Sequence, residues 1–280
     1  MSSDFSFHSL EKTLFGAIAE MVIYMDTDLR IQWANQAAGD SVDQAPEDLL
    51  RRPCYEVWGD RVGPCEKCPV QRTLRTGQAS EGEVLSPEGR DWLIKSHPVR
   101  SPDGELEGVA EVTLDITSRK RGERLAGMRL GLIEYAANHA SDELLTRALD
   151  EIGAFLDSPL GFYHFVHEDQ MTLTLQQWSS QTLGDYCRAE GKGVHYGIDQ
   201  AGVWVDCVRQ GRAVIHNDYP SLPHRKGLPP GHAPVVRELV VPVWRRDRIA
   251  AIVGVGNKPA DYTEDDALNL EYMADVVHEI

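Results

Sequence analysis

The sequence predicts two α+β domains, each a central antiparallel sheet flanked by helices, joined by a helical linker. Three observations carry this expectation. The chain has 280 residues, more than a single domain usually needs. Short β-prone runs bounded by turn residues fall into two blocks, before residue 118 and after residue 156. Between the blocks the apolar spacing changes to that of a helix.

From Val22 to Asn35 two short strands are joined by the Asp-rich turn Asp26-Thr-Asp28. Helix-compatible segments follow to about Gln78, interrupted by Pro46, Pro53, Gly63-Pro64 and Pro69. Strands are then expected over Gly82–Leu85, Asp91–Arg100 and Leu106–Leu114, the last two separated by the turn Ser101-Pro-Asp-Gly-Glu105. Helical spacing places Leu125, Met128, Leu132, Tyr135 and Ala136 on one face, and Ser141 is the expected cap of the next helix. The second block has strands at Gly161–Val166 and Leu173–Trp178, a helical middle, and strands near Ala213–His216 and within Arg237–Gly256. Thr263 and the acidic residues after it start a terminal helix.

Lys and Arg number 28 against 44 Asp and Glu, a formal charge of −16, so neither nucleic acid nor an anionic membrane surface is an expected partner. The longest apolar runs are strand-sized, short of the ~20 residues that cross a bilayer. Met1-Ser-Ser-Asp-Phe5 lacks the secretory pattern, and a cytoplasmic location is expected.

Five cysteines, three of them within residues 54–68, fit a local metal or redox site in a reducing compartment better than a disulfide framework. The spacing of Cys65 and Cys68 lets both thiolates face one ion, with Cys54 as third ligand and His97 as the candidate fourth. Zinc and an iron–sulfur cluster are both allowed by this donor set. A reversible Cys65–Cys68 disulfide is the redox alternative, and unliganded buried cysteines are the bland one. Pro69 stands where covalent haem attachment needs His, and the Asn-Cys-Arg context of flavin photochemistry is missing. Thioredoxin-like turnover by Cys65/Cys68 requires a helix start after a strand, whereas Gly63-Pro64 and Pro69 predict a loop.

In the second block His164, His167, His195, His216, His224 and His232 accompany Arg225, Lys226 and Arg237. If Tyr196, Trp204, His216, Tyr219, His224, Arg225 and Arg237 converge, they form an aromatic-walled site with cationic donors for a small anionic or aromatic ligand. The alternative is a loop held by its own hydrogen bonds, with Trp178 and Trp204 as core. Cys187 and Cys207 read as buried apolar filler.

About residues 11–120 resemble the PAS family, through Asp26 and the strand pair ending in Asn35, the Pro102-Asp-Gly104 turn, and Asp115-Ile-Thr117 followed by a basic helix. About residues 140–280 resemble a GAF domain. The residues are Gly161-Phe-Tyr-His-Phe-Val166, Ala189-Glu-Gly-Lys-Gly193, Ala201-Gly-Val-Trp204, His216-Asn-Asp-Tyr219, Leu222-Pro-His-Arg-Lys226 and Arg237-Glu-Leu-Val-Val-Pro242. The resemblance implies a PAS-like domain at 1–118, a linker at 119–140 and a GAF-like domain at 141–280. It further implies a sensory module relaying a signal to an output domain past Ile280, a histidine kinase or a diguanylate cyclase.

Asn257-Lys258 with Tyr262 and Asp266 partly matches cyclic-nucleotide-binding GAF domains, but Ala267 replaces the family's Glu and Tyr262 its Phe. A Lys258–Asp266 pair is expected instead to lock the terminal helix to the sheet. Val277-His-Glu-Ile280 resembles the start of a phosphoacceptor motif, yet its spacing from Leu270, Met273 and Val276 fits a terminal helix. No catalytic residue is assigned. The enzyme-class alternative is a thiol–disulfide redox protein using Cys65/Cys68. A homodimer through Leu125, Met128 and Leu132 is expected, because a helix with one apolar face needs a partner.

Overall fold

In the computed structural model, which describes residues 15–58, 62–86, 89–186, 195–199, 201–226 and 234–280, the chain forms two units that meet after Glu123. The first opens with strands β1 (Met21–Asp26) and β2 (Ile31–Ala34), followed by helices α1 (Gln36–Asp40), α2 (Cys54–Trp58) and α3 (Pro69–Thr76). Strands β3 (Ser80–Leu85), β4 (Asp91–Arg100) and β5 (Leu106–Asp115) complete an antiparallel sheet of order β2-β1-β5-β4-β3.

Short-range hydrogen bonds fix this order. Asp26 Oδ1 accepts the backbone N–H groups of Asp28 and Arg30, both at 2.9 Å, and so closes the first turn. Asn35 accepts from Val22 N at 3.0 Å and Ala38 N at 3.1 Å, and donates to the carbonyls of Ile18 and Glu20. One buried side chain thus caps α1 and ties down the chain leading into β1. Ile23, Met25, Ile31, Leu49, Val70 and Val109 form the core of this unit.

At the end of β5, Asp115 Oδ1 accepts the Thr117 N–H at 2.9 Å, and Thr117 Oγ1 accepts the Asp91 N–H at 3.0 Å. The strand turns into helix α4 (Thr117–Ala136) at these bonds. The unit boundary falls inside α4. Arg119 and Lys120 pair with Glu83 within the first unit, at 3.1 and 2.6 Å.

The second unit contains α5 (Ser141–Phe155), β6 (Leu160–Val166), β7 (Thr172–Trp178), β8 (His195–Gly197), α6 (Asp206–Gln210), β9 (Val214–His216), β10 (Glu238–Arg245), β11 (Arg248–Gly256) and α7 (Glu264–Glu279). Its antiparallel sheet runs β8-β7-β6-β11-β10-β9. Alternation divides the sheet's residues between two faces. Leu239, Val241, Val243, Val253 and Val255 pack against α5 and α7, whereas Val214, Val240 and Ile252 pack with Val205 and Cys207 on the other side. Gly254 lies opposite Phe162, and a Cβ there would sit 2.1 Å from the ring, so only glycine admits it.

The terminal helix begins as expected. Thr263 Oγ1 accepts the Asp266 N–H at 3.3 Å, Asp266 accepts from Thr263 N at 2.9 Å, and Lys258 Nζ binds Asp266 at 2.7 Å.

Four expectations are corrected. Pro69 occupies the first turn of α3 with Cys68 at its N-cap, rather than prolonging a loop, because proline's missing N–H costs nothing there. The cap of α5 is Ala140, whose N–H is accepted by Glu143 Oε2 at 3.0 Å, and Ser141 is already helical. The middle of the second unit is mixed: among the described residues it holds a π-helical turn (Thr182–Tyr186), β8, a 3-10 turn (Val203–Val205) and α6. Leu125, Met128 and Leu132 pack into the second unit's own core, so this face of α4 is covered without a second copy. Among the described residues no helix is long and apolar enough to cross a membrane.

Asn35→Ala removes the α1 cap and the donor to the Ile18 and Glu20 carbonyls, and is expected to cost about 2 kcal/mol. Urea unfolding checks it, with hydrogen exchange locating the loss in the first unit; a change under about 0.5 kcal/mol would sink the assignment.

Candidate functional site

In the first unit, the space between the sheet and α2 forms a cavity of about 380 Å³ whose walls include Ile23, Trp58, Trp92 and Ile94. Cys54, Cys65 and Cys68 all reach it, as does Glu111. Cys54 begins α2, and its N–H is bonded to the Leu29 carbonyl at 3.1 Å. Cys65 and Cys68 share a turn in which the Cys68 N–H donates to the Cys65 carbonyl at 3.3 Å. Alternation along β5 turns Val109, Glu111 and Thr113 inward, and the Thr113 hydroxyl donates to Glu111 Oε1 at 2.6 Å.

Charge is disfavoured at Glu111, Cys54 and Cys68. Burial pushes the Glu111 carboxyl above its ordinary value, against the pull of the Thr113 hydroxyl. Burial also raises the thiols of Cys54 and Cys68, with Glu111 adding to both, while the N–H groups of Gln71 and Val70 partly offset the rise at Cys68. Protonated thiols are poor nucleophiles, which disfavours turnover by a dithiol. All four described cysteines are free.

His97 does not join the cysteines. Trp92 and Ile94 line the cavity, and Ser96 is buried where its hydroxyl meets Thr73 Oγ1 at 2.7 Å. One residue further along β4, His97 is exposed and faces the opposite side of the sheet. Glu111, rather than His97, shares the cavity wall with the three cysteines. Its signal in the sequence is a charged residue at an inward position of an otherwise apolar alternation.

The second unit assembles a polar cluster on the sheet face away from α5 and α7. Glu238 and His216 are direct cross-strand partners, with His216 Nδ1 2.7 Å from Glu238 Oε1. Asp206, at the start of α6, has Oδ2 2.7 Å from His224 Nε2 and 3.8 Å from His216 Nε2. Its other oxygen accepts from Arg209 Nη1 at 2.6 Å. Tyr219 is buried close by, its phenol raised by burial first and the Glu238 carboxylate second. Arg225 acts on Tyr219 electrostatically, whereas Arg237 turns away and binds Asp261 at 2.8 Å.

Trp204 stands apart from this cluster, in an aromatic group. Its ring centroid lies 4.7 Å from that of His164, and Phe162 lies 5.2 Å from His164 edge-on. Burial holds His164 neutral, its pKa pulled down to about 3. The side chains of His195 and Tyr196, and all of Cys187 and His232, lie outside the described residues. The expected ligand set therefore divides in two. His216, Tyr219 and His224 gather, and Asp206 and Glu238, which composition alone did not single out, complete the group.

Two residues of the partial cyclic-nucleotide pattern serve the fold. Asn257 bonds Val236 N and Pro234 O, both at 2.8 Å, and Lys258 is held by Asp266. His278 accepts or donates to the Tyr163 hydroxyl at 2.6 Å, in keeping with a structural terminal helix.

Comparison with protein families matches a GAF domain to residues 138–278 and a PAS fold to residues 15–121. The methyl sulfide methyltransferase-associated sensor of Methanosarcina acetivorans is 28% identical over 277 residues, covering 94% of this chain. The chain spans 27% of that relative's length. Solved structures similar to it include the GAF domain of an Acinetobacter phosphoenolpyruvate-protein phosphotransferase, with TM-score 0.46 and 15% identity over 57% of this chain and 93% of that one. The chromophore-binding domain of a bacteriophytochrome from R. palustris has TM-score 0.39 and 12% identity over 92% of this chain and 91% of that one.

Neutral His164 gives a pH dependence of known sign. The unfolded chain takes up the proton near 6.5 and the folded one only near 3, so stability present above 6.5 is lost as pH falls through that window. The expected slope is about 1.4 kcal/mol per pH unit. Thermal unfolding between pH 7 and 5 checks this, and His164→Gln should flatten the slope; an unchanged slope in the variant would rule His164 out as its source.

Proposed function

Because this chain belongs to the GAF domain family through residues 138–278 and carries a PAS fold over residues 15–121, we propose that it is a sensory module of a signal-transduction protein. The similarity to a protein named as a sensor supports that role. The signal is read in the PAS cavity and passed through α4 and the GAF unit to an output domain beyond Ile280, with a histidine kinase as the preferred output and a cytoplasmic setting.

The observation that carries this reading is the joint opening of three thiols and a buried carboxyl into one largely apolar cavity. Groups whose ionised forms burial disfavours release their protons to solvent when they donate to a soft metal, so occupancy changes the charge inside the unit. Cys54, Cys65 and Cys68 are the thiolate donors in this reading, and Glu111 replaces His97 as the fourth. Among the described residues the three sulfurs do not gather within 4.8 Å of one another, so binding requires the Cys65–Cys68 turn to close on Cys54. That movement is the switch. The turn itself favours a second reading, a reversible Cys65–Cys68 disulfide.

A homodimer is part of the proposal. With Leu125, Met128 and Leu132 occupied in the GAF core, the remaining apolar surface of α4 is Leu130 and Ile133, 63% and 45% exposed.

Metal analysis and absorption spectra of chain purified without oxygen test the cavity. About one metal-binding event is expected at the cysteine cavity, lost in Cys65→Ser and weakened in Glu111→Gln; iron with visible colour indicates a cluster and colourless zinc a thiolate site. Metal-free chain that loses two hydrogens on mild oxidation, in the wild type but not in Cys65→Ser, supports the disulfide reading. Chain that binds no metal at the cysteines and loses no hydrogens on mild oxidation overturns the thiol-based signal. Leu130→Glu with Ile133→Glu should shift sedimentation from dimer to monomer; a wild-type monomer removes the dimer from the proposal.

A further inference from the structure

The Asp206–His216–His224 cluster of the GAF unit has the geometry of a metal site distinct from the cysteine cavity. Among the described residues it is the one set of three such donors whose ligand atoms all lie within 4.8 Å of one another. An ion bound at the usual ~2.0–2.2 Å in a tetrahedral arrangement sets its donors about 3.3–3.5 Å apart. From Asp206 Oδ2 the two Nε2 atoms lie at 2.7 Å, a hydrogen-bond distance that lengthens when an ion enters, and at 3.8 Å.

The surrounding hydrogen bonds aim the donors. Glu238 receives His216 Nδ1–H at 2.7 Å, which leaves the Nε2 lone pair of the neutral ring turned toward Asp206. A carboxylate behind a histidine is the usual support of a metal-binding imidazole, orienting the ring and raising its basicity. Arg209 donates to Asp206 Oδ1, while Oδ2 lies toward the two Nε2 atoms, its hydrogen bond with His224 Nε2 giving way when an ion binds. Asp206 is buried and His216 half-buried, whereas the His224 side chain is 52% exposed. The cluster therefore has a protein-lined side and an open side.

The geometry points to a site for a divalent first-row transition-metal ion, held by Asp206 Oδ2, His216 Nε2 and His224 Nε2, with a coordination position left to water or a small anionic ligand. Two imidazoles and one carboxylate suit zinc, iron(II) or cobalt(II), and disfavour calcium and magnesium, which prefer oxygen donors throughout.

The test uses the metal-stripped 280-residue chain, titrated with zinc(II) and, for its spectrum, cobalt(II). One equivalent is expected to bind here in both the wild type and Cys65→Ser, which separates it from any metal at the cysteines. His224→Ala, at a half-exposed position, should abolish that equivalent and the accompanying rise in Tm without unfolding the chain. Glu238→Gln, which touches no ion directly, should weaken binding about 10–100-fold. Should Glu238→Gln fail to fold, as circular dichroism would reveal, His224→Ala decides alone. The proposal is overturned if Cys65→Ser binds no ion, or if His224→Ala binds zinc with the wild-type stoichiometry and affinity; the cluster is then a network of ion pairs holding the loop.

Discussion

Both units depend on the period-two alternation of an antiparallel sheet. In β10 it sends Leu239, Val241 and Val243 into the helix-covered core and Glu238 and Val240 to the other face. A one-residue slip would drive the Glu238 carboxylate among the aliphatic side chains of α5 and α7, where no cation waits for it. The apolar pattern therefore fixes the polar cluster as firmly as it fixes the core. In the PAS unit the same rule places Glu111 beside the thiols and His97 across the sheet from them.

The two polar centres solve the problem of buried charge differently. In the GAF unit each carboxylate meets a histidine or an arginine, so charge is compensated where it lies. In the PAS cavity the acid meets a hydroxyl, and burial favours the protonated forms of Glu111, Cys54 and Cys68 instead. One centre is poised by pairing, the other by protonation.

What sequence made legible was mostly local. Asp115 and Thr117 at the strand-to-helix junction, the Thr263 cap and the Lys258–Asp266 pair each involve residues within a turn or two of one another, or a turn signal with one meaning. Pro69 was ambiguous because proline both ends loops and starts helices, and only the helix that follows decides. His97 and Ser96 are neighbours in the chain, so the alternation was visible, but not which face the helices cover. The apolar stripe of α4 was legible as a stripe, whereas its partner in the second unit's core was a tertiary fact. Asp206 is an acidic residue in a helix's first turn, with nothing local to mark it. Its role depends on His216 and His224 returning to it through the fold, which no spacing rule encodes.

Strand β9 ends its sheet and pairs with β10 over only three residues. Short edge strands fray at a small fraction of the free energy that unfolds a domain. His216 rides on this strand, between Asp206 and Glu238, while Glu238 itself sits on an interior strand flanked on both sides. The cluster thus joins a fast-opening part of the molecule to a slow one. Access to its donors is timed by the breathing of a sheet edge rather than by the lifetime of the fold.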